Sequence, residues 1–381
     1  MQRRRRVRIR PQAVSSATAV VVGALLMTGC GLVGSGPEKT EKTQKRTAAA
    51  PVVDVDCADR GQVAGAGSSA QQNAMEYWAK EYQRACAGVQ IAYNPLGSGA
   101  GVAQFLRGAT AFGGSDSALD DAELARSESA CAGGRAVNLP MAGGPVAIGF
   151  NLPGVDRLVL DAPTLAKIFD SRIKAWDDPA IEKLNPGVRL PATPIYPVHR
   201  SDDSGTTQNF QAYLADAAED SWPYPARKIW QGRGGGSASG SSGVASAVTS
   251  TTGAIGYLDL SVAAKGQVTT VSVDTGADEP VAPTPQSASA GIAEARTAGR
   301  GNDLSLDFDH STSAEGAYPI VLVTYEIVCA TGNGAGHLPA LKSFLTYTAS
   351  AEGQRALPRL HYAPLPEELA GDVRRVVRAL K

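Results

Sequence analysis

The sequence lacks the features that are typical of nucleic-acid-binding proteins and of metalloproteins. Its 381 residues carry 36 basic and 37 acidic side chains, so it lacks the basic excess with which nucleic-acid-binding proteins neutralise phosphates. The four histidines are scattered, and the five cysteines include no CxxC pair, so no spacing typical of a metal site occurs. We therefore expect no nucleic-acid partner, no cofactor and no metal.

A hydrolytic enzyme also has little support in the sequence. There is no G-x-S-x-G motif, and no histidine lies in a motif that would make it a general base. Ser98, in a glycine-rich turn, is the one candidate nucleophile. The sequence favours a binding protein over an enzyme. A phosphatase is the remote alternative, which turnover of a chromogenic phosphate ester would reveal.

The N-terminus has the features of an export signal. Residues 1–29 contain six arginines and no acid, and the apolar run 13–27 is too short for a comfortable membrane span. Small residues precede Cys30, as in the lipobox of bacterial lipoproteins, although Met27 stands where that motif usually has Leu. We predict a signal peptide over 1–29 and lipidation of Cys30. An N-terminal membrane anchor with an incidental cysteine is the alternative.

The next segment is predicted to be a tether outside the cell membrane. Residues 31–51 are small and polar with mixed charge, so we predict a lipid-anchored flexible linker over 30–56. Acylation of the lipobox cysteine leaves Cys57, Cys86, Cys131 and Cys329, an even number that allows two disulfides in an oxidising compartment. Of the three connectivities we favour Cys57–Cys86 with Cys131–Cys329.

Beyond residue 57, strand-like and helix-like patterns alternate. Residues 71–86 have apolar positions at helical spacing, and 89–93 has a strand pattern. Such alternation is typical of an α/β sheet. The glycine-rich segment 232–243 lacks the lysine and the strand–helix context of a P-loop, so we expect a flexible loop or an extended backbone crossing there, with no phosphate-binding role.

Three short segments place glycines and hydroxyl residues directly before a helical pattern. They are GAGSS at 65–69, GSGAG at 97–101 and SGTT at 204–207. A helix N-terminus presents unpaired N–H groups, hydroxyls add donors, and glycine lets a ligand approach the backbone. One such segment would be an ordinary helix cap. Three in one chain, with Arg200-Ser201-Asp202 before the last, indicate a bound oxyanion.

These segments carry a family resemblance. The chain resembles the phosphate-binding proteins of bacterial phosphate-specific ABC transporters. The resemblance rests on the three segments above and on FGGSD at 112–116, and it extends through IGYLDL at 255–260, AYPI at 317–320 and YAPLP at 362–366. These motifs occur in family order from about residue 60 to the C-terminus.

The resemblance implies a two-lobed α/β fold of the periplasmic-binding-protein kind (type II, Venus-flytrap), with the ligand in the cleft between the lobes. Lobe I would comprise 57–141 with 319–381, and lobe II would comprise 142–318. Closure of the lobes on the ligand would deliver it to a membrane permease. The protein would act as a monomer.

The resemblance also implies a set of ligand contacts. Carried over by motif position, the phosphate-binding residues are Ser69, Ala70, Ser98, Asp116, Arg200, Ser204, Gly205 and Thr206. Asp202 would hold the guanidinium of Arg200 in position. The family often has an aromatic residue at the position of Ala70, where only the backbone N–H is needed.

Asp116 carries the ligand specificity in this interpretation. A carboxylate beside an anion costs Coulomb energy unless the ligand brings a proton for it to accept. Phosphate near neutral pH brings that proton and sulfate does not, so the site would reject sulfate. The alternatives are a receptor for another oxyanion (sulfate, molybdate or a phosphonate) and a phosphate sensor built on the same fold.

Overall fold

A computed structural model describes residues 55–381. The signal peptide, the lipidation of Cys30 and nearly all of the predicted linker lie outside the described residues. Within 55–381, no helix is both long enough and apolar enough to cross a membrane.

The described residues form an α/β structure of short strands and helices. The strands are β1 (Gly61–Gly67), β2 (Val89–Asn94), β3 (Phe112–Ser115), β4 (Ala136–Phe150), β5 (Val159–Asp161), β6 (Tyr196–Arg200), β7 (Gly236–Ala238), β8 (Ala254–Asp259), β9 (Thr269–Thr270), β10 (Ser272–Asp274), β11 (Arg296–Thr297), β12 (Leu306–Asp307) and β13 (Val321–Cys329). The helices are α1 (Gln72–Ala85), α2 (Ser98–Leu106), α3 (Asp121–Ala130), α4 (Ala162–Phe169), α5 (Pro179–Leu184), α6 (Gly205–Ala217), α7 (Gly240–Ser250), α8 (Leu260–Lys265), α9 (Pro285–Ala293), α10 (Leu338–Thr348), α11 (Ala351–Arg355) and α12 (Glu367–Ala379).

The largest sheet has two parallel parts joined by an antiparallel centre. Its strand order is β2-β1-β3-β13-β4-β8-β6-β7, with β9 added to β4. On one side β1 is parallel to β2 and β3, and on the other side β6 is parallel to β7 and β8. Strand β4 is buried along its length; it pairs with β13 as far as Pro145 and with β8 from Val146. This strand therefore connects the two parallel parts.

Helix α1 is fixed by its apolar face. Its buried residues Ala74, Met75, Trp78 and Tyr82 recur at helical spacing. The ring of Tyr82 meets that of Phe344 edge to face, with centroids 5.3 Å apart. Burying one such aromatic side chain contributes about 2 kcal/mol, so this packing holds the last turns of α1 against α10.

Both disulfides join the predicted partners. Cys57 is bonded to Cys86 and Cys131 to Cys329. The first ties the segment before β1 to the end of α1, and the second ties the end of α3 to the end of β13. The favoured connectivity is confirmed.

Segment 232–243 is not a flexible loop, and it has the strand–helix context that the sequence did not indicate. Part of that segment pairs with β6 as β7, and helix α7 begins at Gly240. The reason is the apolar face that follows, because Val244, Ala245 and Val248 are buried at helical spacing in a cluster with Leu258. Small residues at 238–240 form the tight connection from β7 to α7.

Candidate anion-binding site

The predicted ligand residues all lie at the carboxyl ends of parallel strands. Ser69 and Ala70 follow β1, Ser98 begins α2 just after β2, and Asp116 follows β3. On the other side Arg200 ends β6, and a short turn leads from it into α6. Carboxyl ends of strands in open α/β sheets are where ligands bind. The contacts described below link six of the eight, Ser69, Ser98, Asp116, Arg200, Gly205 and Thr206, and the other two, Ala70 and Ser204, are their neighbours in the chain.

Asp116 is the centre of that cluster. It is buried, and its Oδ2 accepts hydrogen bonds from the hydroxyls of Thr206 (3.1 Å) and Ser98 (3.5 Å). The Ser98 hydroxyl accepts from the backbone N–H groups of Asp116 (3.2 Å) and Gly205 (3.1 Å). The Oδ1 atom of Asp116 makes no hydrogen bond within the described residues. One acceptor oxygen is thus buried among donors and remains unpaired.

Arg200 supplies the positive charge. Its side chain is buried and held by a two-pronged contact with Asp202, in which Nε lies 2.8 Å from Oδ1. Asp202 also accepts from the backbone N–H of Gly240 at 2.9 Å. A second arm of the guanidinium, Nη1, reaches the hydroxyl of Ser241 at 3.4 Å. The predicted partnership of Asp202 with Arg200 is therefore present in the structure.

Four helices begin at this cluster. The starts of α1, α2, α6 and α7 bring helix N–H groups and the positive ends of the helix dipoles together. Ser204 caps α6 by accepting from the N–H of Thr207 at 3.2 Å. The α6 backbone comes so close that a Cβ on Gly205 would lie 2.7 Å from the Cβ of Asp116. Glycine is therefore required at position 205.

Electrostatics distinguish the two acids of the site. Burial raises the pKa of Asp116, against the opposing effects of the Ser68 hydroxyl and the Arg200 charge. Burial alone would also raise the pKa of Asp202, but the hydrogen bond and charge of Arg200 outweigh it and lower that pKa. Asp202 is therefore a fixed anion paired with Arg200, whereas Asp116 can gain or share a proton more readily.

The sequence interpretation missed several groups of the site. Ser241 accepts from Arg200, and its N–H donates to the hydroxyl of Ser69 at 3.1 Å. The Asn209 amide donates to the backbone oxygens of Asp116 (2.8 Å) and Gly205 (2.9 Å). The signal for Ser241 was SGSSG at 239–243, followed by apolar residues at helical spacing, which repeats the pattern of the three recognised segments.

A further buried acid, Asp259, adds a measurable pH dependence. It caps α8 by accepting from the N–H of Val262 (3.1 Å) and the hydroxyl of Ser261 (2.6 Å), and its Oδ2 is unpaired within the described residues. Burial raises its pKa to about 6, hydrogen bonds from Ser261 and Ser241 oppose that rise, and the charge of Asp116 adds to it.

The Asp259→Asn variant should therefore change how stability depends on pH. Because the folded-state pKa lies above the unfolded one, the stabilisation from this group is complete below about pH 4 and is lost as pH rises through about 6. The stability of the wild type relative to the variant should fall by about 2 kcal/mol between pH ~4 and pH ~7. Urea unfolding of both proteins at the two pH values measures it. A pH-independent difference would contradict the prediction.

No group of three or more His, Cys, Asp or Glu side chains suited to a metal ion occurs within residues 55–381. The donors gathered at the cluster are N–H, O–H and guanidinium groups. Such a set suits an anion.

A family model and related sequences match this chain and agree on its family, and solved structures match its fold. A model of the PBP superfamily domain matches residues 53–352. Phosphate-binding protein PstS 3 of Mycobacterium leprae is 42% identical over 346 residues, which covers 90% of this chain and 93% of that protein. Phosphate-binding protein PstS of Xylella fastidiosa is 33% identical over 318 residues, covering 82% and 83%. The structure of a high-affinity periplasmic phosphate-binding protein, PfluDING, bound with phosphate matches with a TM-score of 0.68 at 23% identity, covering 84% and 93%.

The fold and the cluster define a binding protein of the PBP superfamily, and the two-lobed α/β fold implied by the sequence is confirmed. Within that superfamily, the chain belongs to the family of phosphate-binding proteins named PstS. The resemblance drawn from its short motifs is confirmed as well.

Proposed function

We propose that this protein binds inorganic phosphate outside the cell membrane and delivers it to the permease of an ABC transporter. One observation carries the proposal: a buried carboxylate, Asp116, has an unpaired oxygen among four helix N-termini and a buried arginine. Donors alone would suit any oxyanion. An added acceptor suits an anion that carries a proton.

The proposed ligand set is the one implied by sequence. Donors come from the side chains of Ser69, Ser98, Arg200, Ser204 and Thr206 and from the backbone of Ala70, Ser98, Gly205 and Thr206, while Asp116 accepts the proton of the ion and Asp202 positions Arg200. Fixed donors in a buried site replace the hydration shell of the ion. The several donors compensate for the cost of removing its water.

We further propose that the ligand bridges two lobes, 57–141 with 319–381 and 142–318. The change of partner along β4 supports this division, because the strand leaves β13 for β8 at residues 145–146. Several hydrogen bonds already connect the halves, among them Gly205 N–H to the Ser98 hydroxyl at 3.1 Å and Gly99 N–H to the Asp203 carbonyl at 3.0 Å. Ligand binding between lobes favours hinge closure.

An ion pair between the proposed lobes should slow ligand release. The Nζ of Lys228 lies 2.9 and 3.1 Å from the carboxylate oxygens of Glu123, with side-chain exposures of only 16% and 12%. The carbonyl of Lys228 accepts from the N–H of Ser204, at the start of α6. We expect Glu123→Gln to speed phosphate dissociation by about fivefold, the effect of losing roughly 1 kcal/mol from a largely buried pair.

Stopped-flow release of phosphate measures this effect. Gln at position 123 keeps the capping box of α3, so the helix itself should persist. Glu128→Gln is the matched control, because Glu128 lies on the same helix and its pair with Arg135 is more than half exposed. Equal dissociation rates in the two variants would remove the pair from any role in closure.

Calorimetric titration tests the proposed function itself. Phosphate should bind saturably and sulfate should not compete with it, whereas arsenate, which also carries a proton near neutral pH, should compete. Sulfate binding equal to that of phosphate would favour a receptor for another oxyanion. Turnover of a chromogenic phosphate ester would contradict a purely binding role.

The proposed location follows from the N-terminal sequence. The signal peptide 1–29, lipidation at Cys30 and the linker 30–56 would hold a monomeric binding domain at the outer face of the cell membrane. Membrane fractionation of a Cys30→Ser variant tests the anchor, since the variant should be released into the soluble fraction. Retention in the membrane fraction would point to a different anchor.

A further inference from the structure

Glu326 is a buried acid behind the site that the proposed ligand set does not use. It lies in β13 between Gly114 of β3 and Leu139 of β4, with no exposed surface. Within the described residues neither of its carboxylate oxygens makes a hydrogen bond, and no lysine, arginine or histidine pairs with it. An ionised carboxylate in such a place would be costly.

The groups around Glu326 lead to the ligand loop. Gly114 has no side chain, and a Cβ there would collide with the amide of Gln71 and the hydroxyl of Tyr93. Gln71 Nε2 donates to the Tyr93 hydroxyl at 2.9 Å, and that hydroxyl donates to the carbonyl of Ser68 at 2.8 Å. A polar chain therefore runs from β13 to the loop that carries Ser69 and Ala70.

This chain contains a second unpaired acceptor. The Oε1 atom of Gln71 makes no hydrogen bond within the described residues, just as the Glu326 oxygens do not. A neutral carboxylic acid has one O–H to donate, and Gln71 Oε1 is an acceptor without a donor. A carboxylate would bring two acceptors to a place that already has one unpaired.

The titratable groups that face Glu326 are all acidic or phenolic. Burial raises the pKa of Glu326 well above its ordinary range, the Gln71 amide opposes this, and the charge of Asp116 adds to it. Tyr93, from β2, also has a raised pKa, caused first by burial and then by the charge of Glu326. Asp116 is thus near enough to Glu326 for each charge to affect the other.

We propose that Glu326 is held as a neutral carboxylic acid and sets the phosphate affinity of the site through its protonation state. While it is neutral, Asp116 is the ionised acid nearest the ligand on this side. When it ionises at alkaline pH, a second buried negative charge arises behind Asp116 and weakens the hold on the anion. Glu326 does not touch the ligand and would act on it only through its charge, and the inference rests on the proposed function.

Phosphate affinity of the full-length wild type and the Glu326→Gln variant, measured by calorimetry across neutral and alkaline pH, tests this proposal. At neutral pH the two dissociation constants should agree within about twofold, since Gln mimics the neutral acid. At the alkaline end the wild type should bind about tenfold more weakly than the variant, the effect of one added charge at several ångströms. The ionisation of phosphate itself affects both proteins equally, so the ratio isolates Glu326.

Two results would overturn the proposal. A variant that binds about tenfold more tightly than wild type at neutral pH would mean that Glu326 is already ionised there. If the ratio of the wild-type to the variant dissociation constant does not change between neutral and alkaline pH, Glu326 has no influence on the site. Glu368→Gln, an exposed acid on α12, is the control and should follow the wild type throughout. If the wild type itself binds no phosphate, the proposed function fails rather than the role of Glu326.

A second variant protects the test against a folding defect. Glu326→Leu also carries no charge at any pH and suits the apolar cluster of its neighbours Val137 and Val328. At alkaline pH its dissociation constant for phosphate should equal that of Glu326→Gln, without the additional loss of affinity expected for the wild type. An infrared titration of the wild type gives an independent measurement, because a protonated carboxyl band that disappears in either variant identifies the neutral acid directly. Absence of that band at neutral pH would overturn the proposal.

Discussion

An Asp116→Asn variant is expected to lose most of its discrimination between phosphate and sulfate while keeping much of its phosphate affinity. In the wild type, the Oδ1 of Asp116 is buried and unpaired, and in the proposed site it would be an acceptor for the ligand, so a sulfate oxygen placed there would face it without a proton. An asparagine removes the charge and can turn an N–H towards the sulfate oxygen. We expect the ratio of sulfate to phosphate dissociation constants to fall by about tenfold or more, the effect of relieving one buried mismatch.

Competition calorimetry with both ions measures this ratio. Asp203→Asn is the matched control. Asp203 is an exposed acid next to Asp202 in the chain, and the substitution does not change its backbone carbonyl, which accepts from the N–H of Gly99. It should leave the ratio as in the wild type. An equal loss of affinity for both ions in Asp116→Asn would contradict the role of Asp116 as a proton acceptor.

Arg200→Ala should weaken phosphate binding by at least about 2 kcal/mol, or roughly thirtyfold in the dissociation constant. The guanidinium is the buried positive charge of the cluster, and its loss would leave Asp202 without its partner. Arg200→Lys should recover only part of the loss, because an ammonium group cannot reproduce the two-pronged contact.

The control for this variant is Arg233→Ala. Arg233 also lies in the proposed lobe II, but its side chain is 77% exposed and bonds to Asp170 and Tyr224, away from the cluster. Its phosphate affinity should equal that of the wild type. A dissociation constant unchanged in Arg200→Ala would exclude Arg200 from the ligand site.

Local signals were enough to locate much of this site. Ser98 and Ser204 stand where glycines and hydroxyls precede an apolar helical pattern, and that pattern is a property of the chain itself. The apolar spacing of α1 was equally visible, and the helix has nearly the predicted bounds, Gln72–Ala85. The even number of cysteines suggested two disulfides, and the connectivity favoured among the three possible ones is the one that the structure has.

The parts of the site that the sequence did not predict depend on which strands pair with each other. Ser241 belongs to the site because β7 pairs with β6 and carries the start of α7 towards Arg200. The start of α7 has a local signal in SGSSG at 239–243, but the strand pairing that brings it to Arg200 has none. Glu326 is similar, since a strand pattern predicts an alternating face but not that a glycine on the next strand, Gly114, makes room for Gln71 and Tyr93 beside it.

The structure of the protein crystallised with phosphate is the most direct test of the central claim. We predict one phosphate ion that contacts both Asp116 and Arg200 and receives backbone N–H groups from the starts of α2 and α6. A phosphate bound elsewhere, or held by residues on only one side of the cleft, would contradict the account.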